Sequence, residues 1–286
     1  MATSPRLSIS RRGLLKAGLR IVAGSSLAAL GVGAYATDLE PRWLKVDRIR
    51  VPILALPSAF DGYRIVQLSD IHLGNFTRPE TIDQAIRIAL DLEPDLIVLT
   101  GDYVLEVVDS AALHAEFGKL SAHSHVFAIL GNHDHWLGAT GVRTALADAG
   151  IPELCNASHS IVKDDQAIWL LGVDDIWERH HNLPMALADV PPDAIAILLA
   201  HEPDFADEAA LTNRIALQLS GHSHGGQVRI PGLGAPILPY LGRKYPYGLR
   251  RVGSMWIYTN RGIGEIPPAV RVNCRPEVAE ITLVRA

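Results

Sequence analysis

Seven residues in this sequence carry side chains that could share metal ions: Asp70, His72, Asp102, Asn132, His201, His222 and His224. They fall in five blocks, in order Asp-x-His, Gly-Asp, Gly-Asn-His-Asp, a lone His and Gly-His-x-His. Carboxylate oxygens mixed with imidazoles suit Mn2+, Fe or Zn2+, and the lack of Cys at every block disfavours a thiolate site. Taken singly, each His reads as a surface or hydrogen-bonded core residue. Five ordered blocks reverse that weighting. Next to Asn132, His133 is a candidate acid for a leaving oxygen, and Asp134 either orients it or forms a turn.

The blocks need elements that bring them together across the 154 positions from Asp70 to His224. Each closes a short apolar run. Residues 63–68, 96–99, 126–130, 195–200 and 215–219 read as buried strands that end in these blocks, with further strands at 168–172, 255–260 and 277–284. Thr77-x-x-Glu80 predicts a capping box before a helix with Ile82, Ile86, Ala89 and Leu90 on one face, and a second helix is expected near 110–120. Alternating strands and helices predict an α/β domain over 61–286, entered through a Pro-containing extended segment at 37–60. Ligands of α/β sheets gather beyond the carboxyl ends of strands, so the seven residues could converge there.

The charge is divided along the chain. Residues 1–36 hold five bases (Arg6, Arg11, Arg12, Lys16, Arg20) and no acid, which leaves 21 bases against 31 acids, or −10, for the rest. A body that acidic argues against broad nucleic-acid binding, so no nucleic-acid partner is expected. Ser10-Arg11-Arg12-Gly13-Leu14-Leu15-Lys16 resembles a twin-arginine export signal, followed by an apolar run and Ala34-Tyr35-Ala36 as a peptidase site. The expected partner during export is the twin-arginine translocase, and the expected location is the periplasm or the outer face of the cytoplasmic membrane. Residues 1–36 are thus a signal, either cleaved after Ala36 or kept as an anchor. Such export carries folded proteins, which suits a body loaded with cofactor first.

The ordered blocks resemble the calcineurin-like metallophosphoesterase superfamily over roughly residues 60–285. That resemblance implies a four-layer αββα sandwich with a dinuclear site at the strand ends. It places Asp70, His72 and His224 on one metal, Asn132, His201 and His222 on the other, and Asp102 between them. Two cations about 3.5–4 Å apart repel unless an anion lies between, which argues independently for a bridging carboxylate. It also implies in-line attack on phosphorus by a metal-bridging hydroxide, with two divalent cations, Mn2+ first and Fe or Zn2+ as alternatives. Many members continue Gly-Asp with an acid three residues after the Asp, whereas this chain has Leu105 there and Glu106 next.

The signal, Gly-His-Ser-His-Gly-Gly-Gln-Val, Asn260-Arg261-Gly262 and Cys274-Arg275-Pro276-Glu277 resemble an exported or membrane-associated phosphodiesterase branch similar to UDP-2,3-diacylglucosamine pyrophosphatases. The implied substrates are an envelope phosphoester or a nucleotide-linked lipid of lipid A synthesis. The exported address favours the first, because nucleotide-sugar lipids belong on the cytoplasmic face. A non-catalytic scaffold of the same fold is disfavoured by the complete ligand set. His135 is expected at the substrate mouth or in simple packing, and Arg243 and Lys244 are expected to meet an anionic substrate or lipid headgroups at a membrane surface. Asp174, Asp175 and residues 178–181 are read as a rim loop of undecided role. His114, His123, His125 and His159 read as solvated. Cys155 and Cys274 either pair or stay separate.

Overall fold

The computed structural model describes residues 11–107, 110–123 and 125–286; Arg6 and Ser10 of the signal lie outside the described residues. In chain order the strands are β1 (Lys45–Ile53), β2 (Arg64–Leu68), β3 (Leu96–Thr100), β4 (Val126–Ile129), β5 (Ala157–Lys163), β6 (Gln166–Gly172), β7 (Ala196–Leu199), β8 (Ile215–Ser220), β9 (Gly248–Val252), β10 (Met255–Thr259) and β11 (Glu277–Arg285). The α-helices are α1 (Arg11–Ala34), α2 (Pro79–Asp91), α3 (Ser110–Gly118), α4 (Asn132–Asp148), α5 (Leu183–Ala186) and α6 (Ala206–Leu211).

The strands form two sheets, ordered β1-β11-β2-β3-β4 and β5-β6-β7-β8-β10-β9. β2, β3 and β4 run parallel, as do β6, β7, β8 and β10. The period-two pleat sends alternate side chains to opposite faces. Ile65, Val98 and Phe127 face inward against Ile168, Ile197 and Leu217 of the second sheet. Val66, Leu68, Ile97 and Leu99 face outward against Ile82, Ile86 and Ala89 of α2 and Leu146 of α4. On the far side, Leu198 and Ile257 pack on Ala186 of α5 and Ala206 of α6. The result is the four-layer α/β sandwich. Each fully buried Leu or Ile contributes about 1.5–3 kcal/mol, so the pleat pattern holds the two sheets in register.

Several elements differ from the sequence reading. β1 lies inside the segment read as an extended entry, and its Pro52 is tolerated because β1 is an edge strand that pairs with β11 alone. Helix α2 starts at Pro79 with Arg78 as its N-cap. The expected capping box is not formed; the Thr77 hydroxyl instead accepts the Glu265 N–H at 3.2 Å. Helix α4 was hidden by Gly138 and Gly141, and Gly138 breaks its regular backbone with φ of +123°.

α1 has 24 residues and no buried side chain. The helical stretch Arg11–Arg42 is long and apolar enough to cross a membrane, by length and composition. Its foot is held by the body. Ala36 is buried and its carbonyl accepts the Arg271 N–H at 2.9 Å. The buried Glu40 carboxylate accepts the N–H groups of Asn273 and Cys274.

Candidate metal centre

The carboxyl ends of the parallel strands of both sheets meet at one place. Gln67 of β2 donates to the Ser220 carbonyl of β8 and to the Thr100 hydroxyl of β3, each at 2.9 Å, tying the two sheets together there. Asp70 follows β2, Asp102 follows β3, Asn132 opens α4 after β4, His201 follows β7, and His222 and His224 follow β8. Five of these seven, Asp70, His72, Asp102, His222 and His224, have positive φ between +48° and +68°. Asp and His tolerate that region better than most residues, and such backbone is held where the surroundings over-determine it.

Two buried groups result, Asp70 with His72 and His224, and Asp102 with His201 and His222. In the first, His72 Nε2 lies 2.9 Å from His224 Nε2, and Asp70 Oδ1 lies 3.3 Å from His224 Nε2. In the second, His201 Nδ1 donates to the Thr100 carbonyl at 2.6 Å, which turns Nε2 toward Asp102 Oδ2 at 3.1 Å. No hydrogen bond joins that pair, and His201 Nε2 is buried without a partner. Asn132 Oδ1 lies 2.9 Å from His222 Nδ1, while His222 Nε2 donates to the Tyr240 carbonyl at 2.7 Å. Carbonyl partners on the far nitrogens fix the tautomers that direct lone pairs inward. Asp102 reaches both groups, with Oδ2 also 3.6 Å from His72 Nε2. Converging lone pairs at these distances fit a cation between them.

The electrostatics agree with that fit. Burial lowers His72 and His222 to about 3 and holds His224 well below its usual value, so all three are neutral donors. Burial raises Asp70 to about 7, helped by the Asp102 charge. Burial also opposes charge on Asp102 and His201, but their mutual attraction outweighs it and pushes the two apart. A buried carboxylate that draws positive charge so strongly onto its neighbour supplies the field a divalent cation needs.

His133 is half-buried, its ring 4.8 Å from that of His72 and 4.9 Å from that of Trp136. Its N–H donates to Asp102 Oδ1 at 2.9 Å. It therefore sits between the buried donor groups and exposed Trp136. Of the two readings of Asp134, the turn is the one found. Its carboxylate oxygens accept from Gly131 N (3.0 Å), Asp102 N (2.8 Å), Tyr103 N (2.8 Å) and Val104 N (3.3 Å) and do not bond His133. A buried acceptor for four N–H groups sets the turn that carries Asp102, so Asp134 positions a ligand and does not orient the acid.

Two of the three expected substrate contacts are engaged within the fold. His135 is bound to Asp174 at 2.8 Å and stacked on His180, so its neighbour Trp136 faces the mouth instead. Asp174 is in turn held by Arg143 at 3.0 Å, and burial is outweighed there by the His135 contact, which keeps its carboxyl low. Arg243 and Lys244 are exposed and donate their backbone N–H groups to Asp204, and Lys244 Nζ pairs with Asp207 at 2.6 Å. That pairing removes Lys244 as a free cation. The sequence reading missed Trp177 and Tyr240. With Trp136 they form an aromatic rim, Trp177 lying 5.3 Å from Trp136, 5.4 Å from Tyr240 and 5.7 Å from the His222 ring. Buried Glu202 accepts the Ile176 and Trp177 N–H groups and holds that rim loop. No motif announces those loops; only the third dimension assembles them. Cys155 is exposed and Cys274 buried, both as free thiols.

Comparison with known proteins agrees with this geometry. A family model described as calcineurin-like phosphoesterase matches residues 63–226. The chain is 35% identical over 282 residues to the phosphodiesterase YaeI of Escherichia coli, covering 96% of this chain and all (100%) of that protein. It is 34% identical over 284 residues to the uncharacterized metallophosphoesterase YkuE of Bacillus subtilis, covering 96% and 98%. It is 26% identical over 247 residues to the UDP-2,3-diacylglucosamine pyrophosphatase LpxG of Chlamydia trachomatis, covering 69% and 74%. The match spans most of the site, from β2 to the last histidine block, and the chain belongs to the calcineurin-like phosphoesterase family, as a metal-dependent hydrolase of phosphoric ester bonds.

Proposed function

We propose that this chain hydrolyses a phosphodiester or pyrophosphate bond in an envelope or lipid-linked substrate, using two divalent cations. The observation that carries the reading is the pair of buried donor groups that share Asp102 beside the half-buried His133. Asp70, His72 and His224 would hold one cation and Asn132, His201 and His222 the other, with Asp102 between. Oxygen and imidazole donors suit Mn2+ first, with Fe and Zn2+ as alternatives. Bound cations at such a site supply Lewis acidity and acidify a water. The rest is done by the chain. Asp102 keeps two positive charges close, and Asp134 holds Asp102 through its turn. His133 stands at the mouth, where a departing ester oxygen takes up a proton. The aromatic rim lies on that same side, so the leaving group passes Trp136 and Trp177.

An exported and anchored body is part of the proposal. The peptidase site Ala34-Tyr35-Ala36 lies within continuous helical turns, and Ala36 is buried with its carbonyl bonded. A folded cargo would present that site closed, which favours retention of the signal as an anchor at the outer face of the cytoplasmic membrane. The similarity to the pyrophosphatase LpxG supports a second reading, cleavage of UDP-2,3-diacylglucosamine. The purified chain with Mn2+ is assayed on that lipid, on a glycerophosphodiester and on bis(4-nitrophenyl) phosphate. Turnover of the diesters alone removes the second reading, and no turnover of any with both cations bound defeats the proposal.

A further inference from the structure

The loop that leaves the last histidine block presents apolar side chains to the outside. Leu233 and Ile237 are 82% and 79% exposed, and Tyr240 is 57% exposed. The backbone beneath them is not loose. Ile230 and Gly234 exchange N–H···O bonds at 2.8 and 2.9 Å, which sets Leu233 at the tip of a tight turn. Gly226, with φ of +81°, leaves room for Ala235 and for the Ile237 carbonyl, where a Cβ would intrude. The far end is tied to the metal centre by the bond from His222 to the Tyr240 carbonyl. A pinned loop that turns a Leu and an Ile outward exposes surface that water penalises.

What lies beside this loop indicates its occupant. Arg271 donates to the Ala36 carbonyl at the foot of α1, Val272 donates to Gln227, and Arg229 donates to Val272. The foot of the apolar helix, residues 271–274 and the root of the loop are therefore consecutive neighbours. On another side of the foot, exposed Phe76 lines a cavity of about 440 Å3 together with Arg42 and Arg78. Arg42 and Arg78 share Asp38 there, at 2.6 and 2.9 Å, which leaves one net positive charge beside an apolar ring, a combination suited to the headgroup level of an anionic bilayer.

The geometry points to a docking surface for the bilayer that holds α1: the 230–240 loop seats Leu233 and Ile237 at the headgroup–acyl boundary, and the metal mouth opens toward lipid. Interfacial segments bind through apolar area supported by basic groups in this way. The inference takes its membrane from the proposed location and is independent of the reaction.

The full chain is reconstituted in vesicles of phosphatidylethanolamine and phosphatidylglycerol, in a Cys155→Ser background. Leu233→Cys, Ile237→Cys and, as a control, Val162→Cys on β5 each carry a bimane label. Lipids brominated on the acyl chain should quench the labels at 233 and 237, with aqueous iodide quenching only the label at 162. Iodide quenching at 233 and 237 equal to that at 162 overturns the inference. So does protection of those labels in lipid-free detergent that rises with protein concentration, since a second copy would then be the occupant. A Leu233→Ser/Ile237→Ser variant should lose about tenfold in turnover of a vesicle-embedded phosphodiester with soluble bis(4-nitrophenyl) phosphate unaffected. An equal loss on both substrates contradicts docking, and the quenching result stands even if neither is hydrolysed.

Discussion

Gly131→Ala should inactivate the protein for reasons of space alone. Gly131 has φ −116° and ψ 178°, an extended backbone that alanine adopts freely. At a compatible backbone, Gly→Ala ordinarily stabilises by about 0.4–1 kcal/mol through the unfolded chain. Here the added Cβ would fall onto Asp102 Oδ1 and sit 2.8 Å from both Asp102 N and His201 Cε1. Ordinary contact begins near 3.4 Å, so these groups must retreat by about 0.6 Å, and the carboxylate oxygen further. The groups displaced are the carboxylate shared by both donor groups and a histidine of the second. Misplacement on the order of 1 Å costs about 100-fold in rate, or about 2.7 kcal/mol of barrier. The assay is kcat/KM on bis(4-nitrophenyl) phosphate with saturating Mn2+, alongside metal content and a melting curve. Gly118→Ala, with open space around it, is the control and should be neutral or slightly stabilising. If Gly131→Ala keeps wild-type kcat/KM and both cations, Asp102 and His201 do not form the reactive centre described above.

Asp102→Asn should leave the fold intact and lower both bound-metal content and kcat/KM by at least about 100-fold, because its amide would donate to His201 Nε2 and occupy the lone pair there; elemental analysis after desalting checks it. Trp177→Ala should reduce kcat/KM about 2- to 10-fold on aryl esters and less on alkyl esters, the value of one aromatic contact; a paired substrate panel reads the difference. Chelation should lower the melting temperature, since a cation at 100 times its Kd stabilises the folded state by about 2.7 kcal/mol, and Mn2+ should restore it. Glu265 is buried and pushed up from 4.5 to about 7, so the fold favours its neutral form; its stabilising contribution is complete below 4.5 and disappears as pH rises through 7. Glu265→Gln should therefore match wild type at pH 4.5 and melt higher at pH 8, by roughly 1–2 kcal/mol after allowance for solvent screening and nearby Arg78 and Arg271.

The donor residues were legible because each closes an apolar strand run, and parallel strands deliver their carboxyl ends to one edge. The pattern that marks β2, β3, β4, β7 and β8 is thus the same pattern that locates Asp70, Asp102, Asn132, His201 and His222. Other features carry no such local code. β1 was hidden because Pro52 reads as a strand breaker until the strand is known to lie at an edge. The work of Asp134 depends on where the N–H groups of residues 102–104 turn, some 30 positions away. Trp177 meets both Trp136 and Tyr240 because Glu202 and His222 hold the loops that carry Trp177 and Tyr240. Lys244 looked like an anion contact until Asp207, 37 positions earlier, claimed its charge.

The centre also carries backbone strain, and that bears on how it is held. Five of the seven donor residues occupy left-handed backbone, at about 1 kcal/mol each even for Asp and His. Imidazole and carboxylate groups crowd one another at 2.9–3.3 Å in a buried site. Hydrogen bonds elsewhere hold this arrangement: Asp134 under Asp102, Gln67 between the sheets, and the buried Arg271 donating to the carbonyls of Gly262 and Gly264, which pack on Asp70 and Ile71. A cation held by these donors would tie the strand ends together and so add to the stability of the fold there.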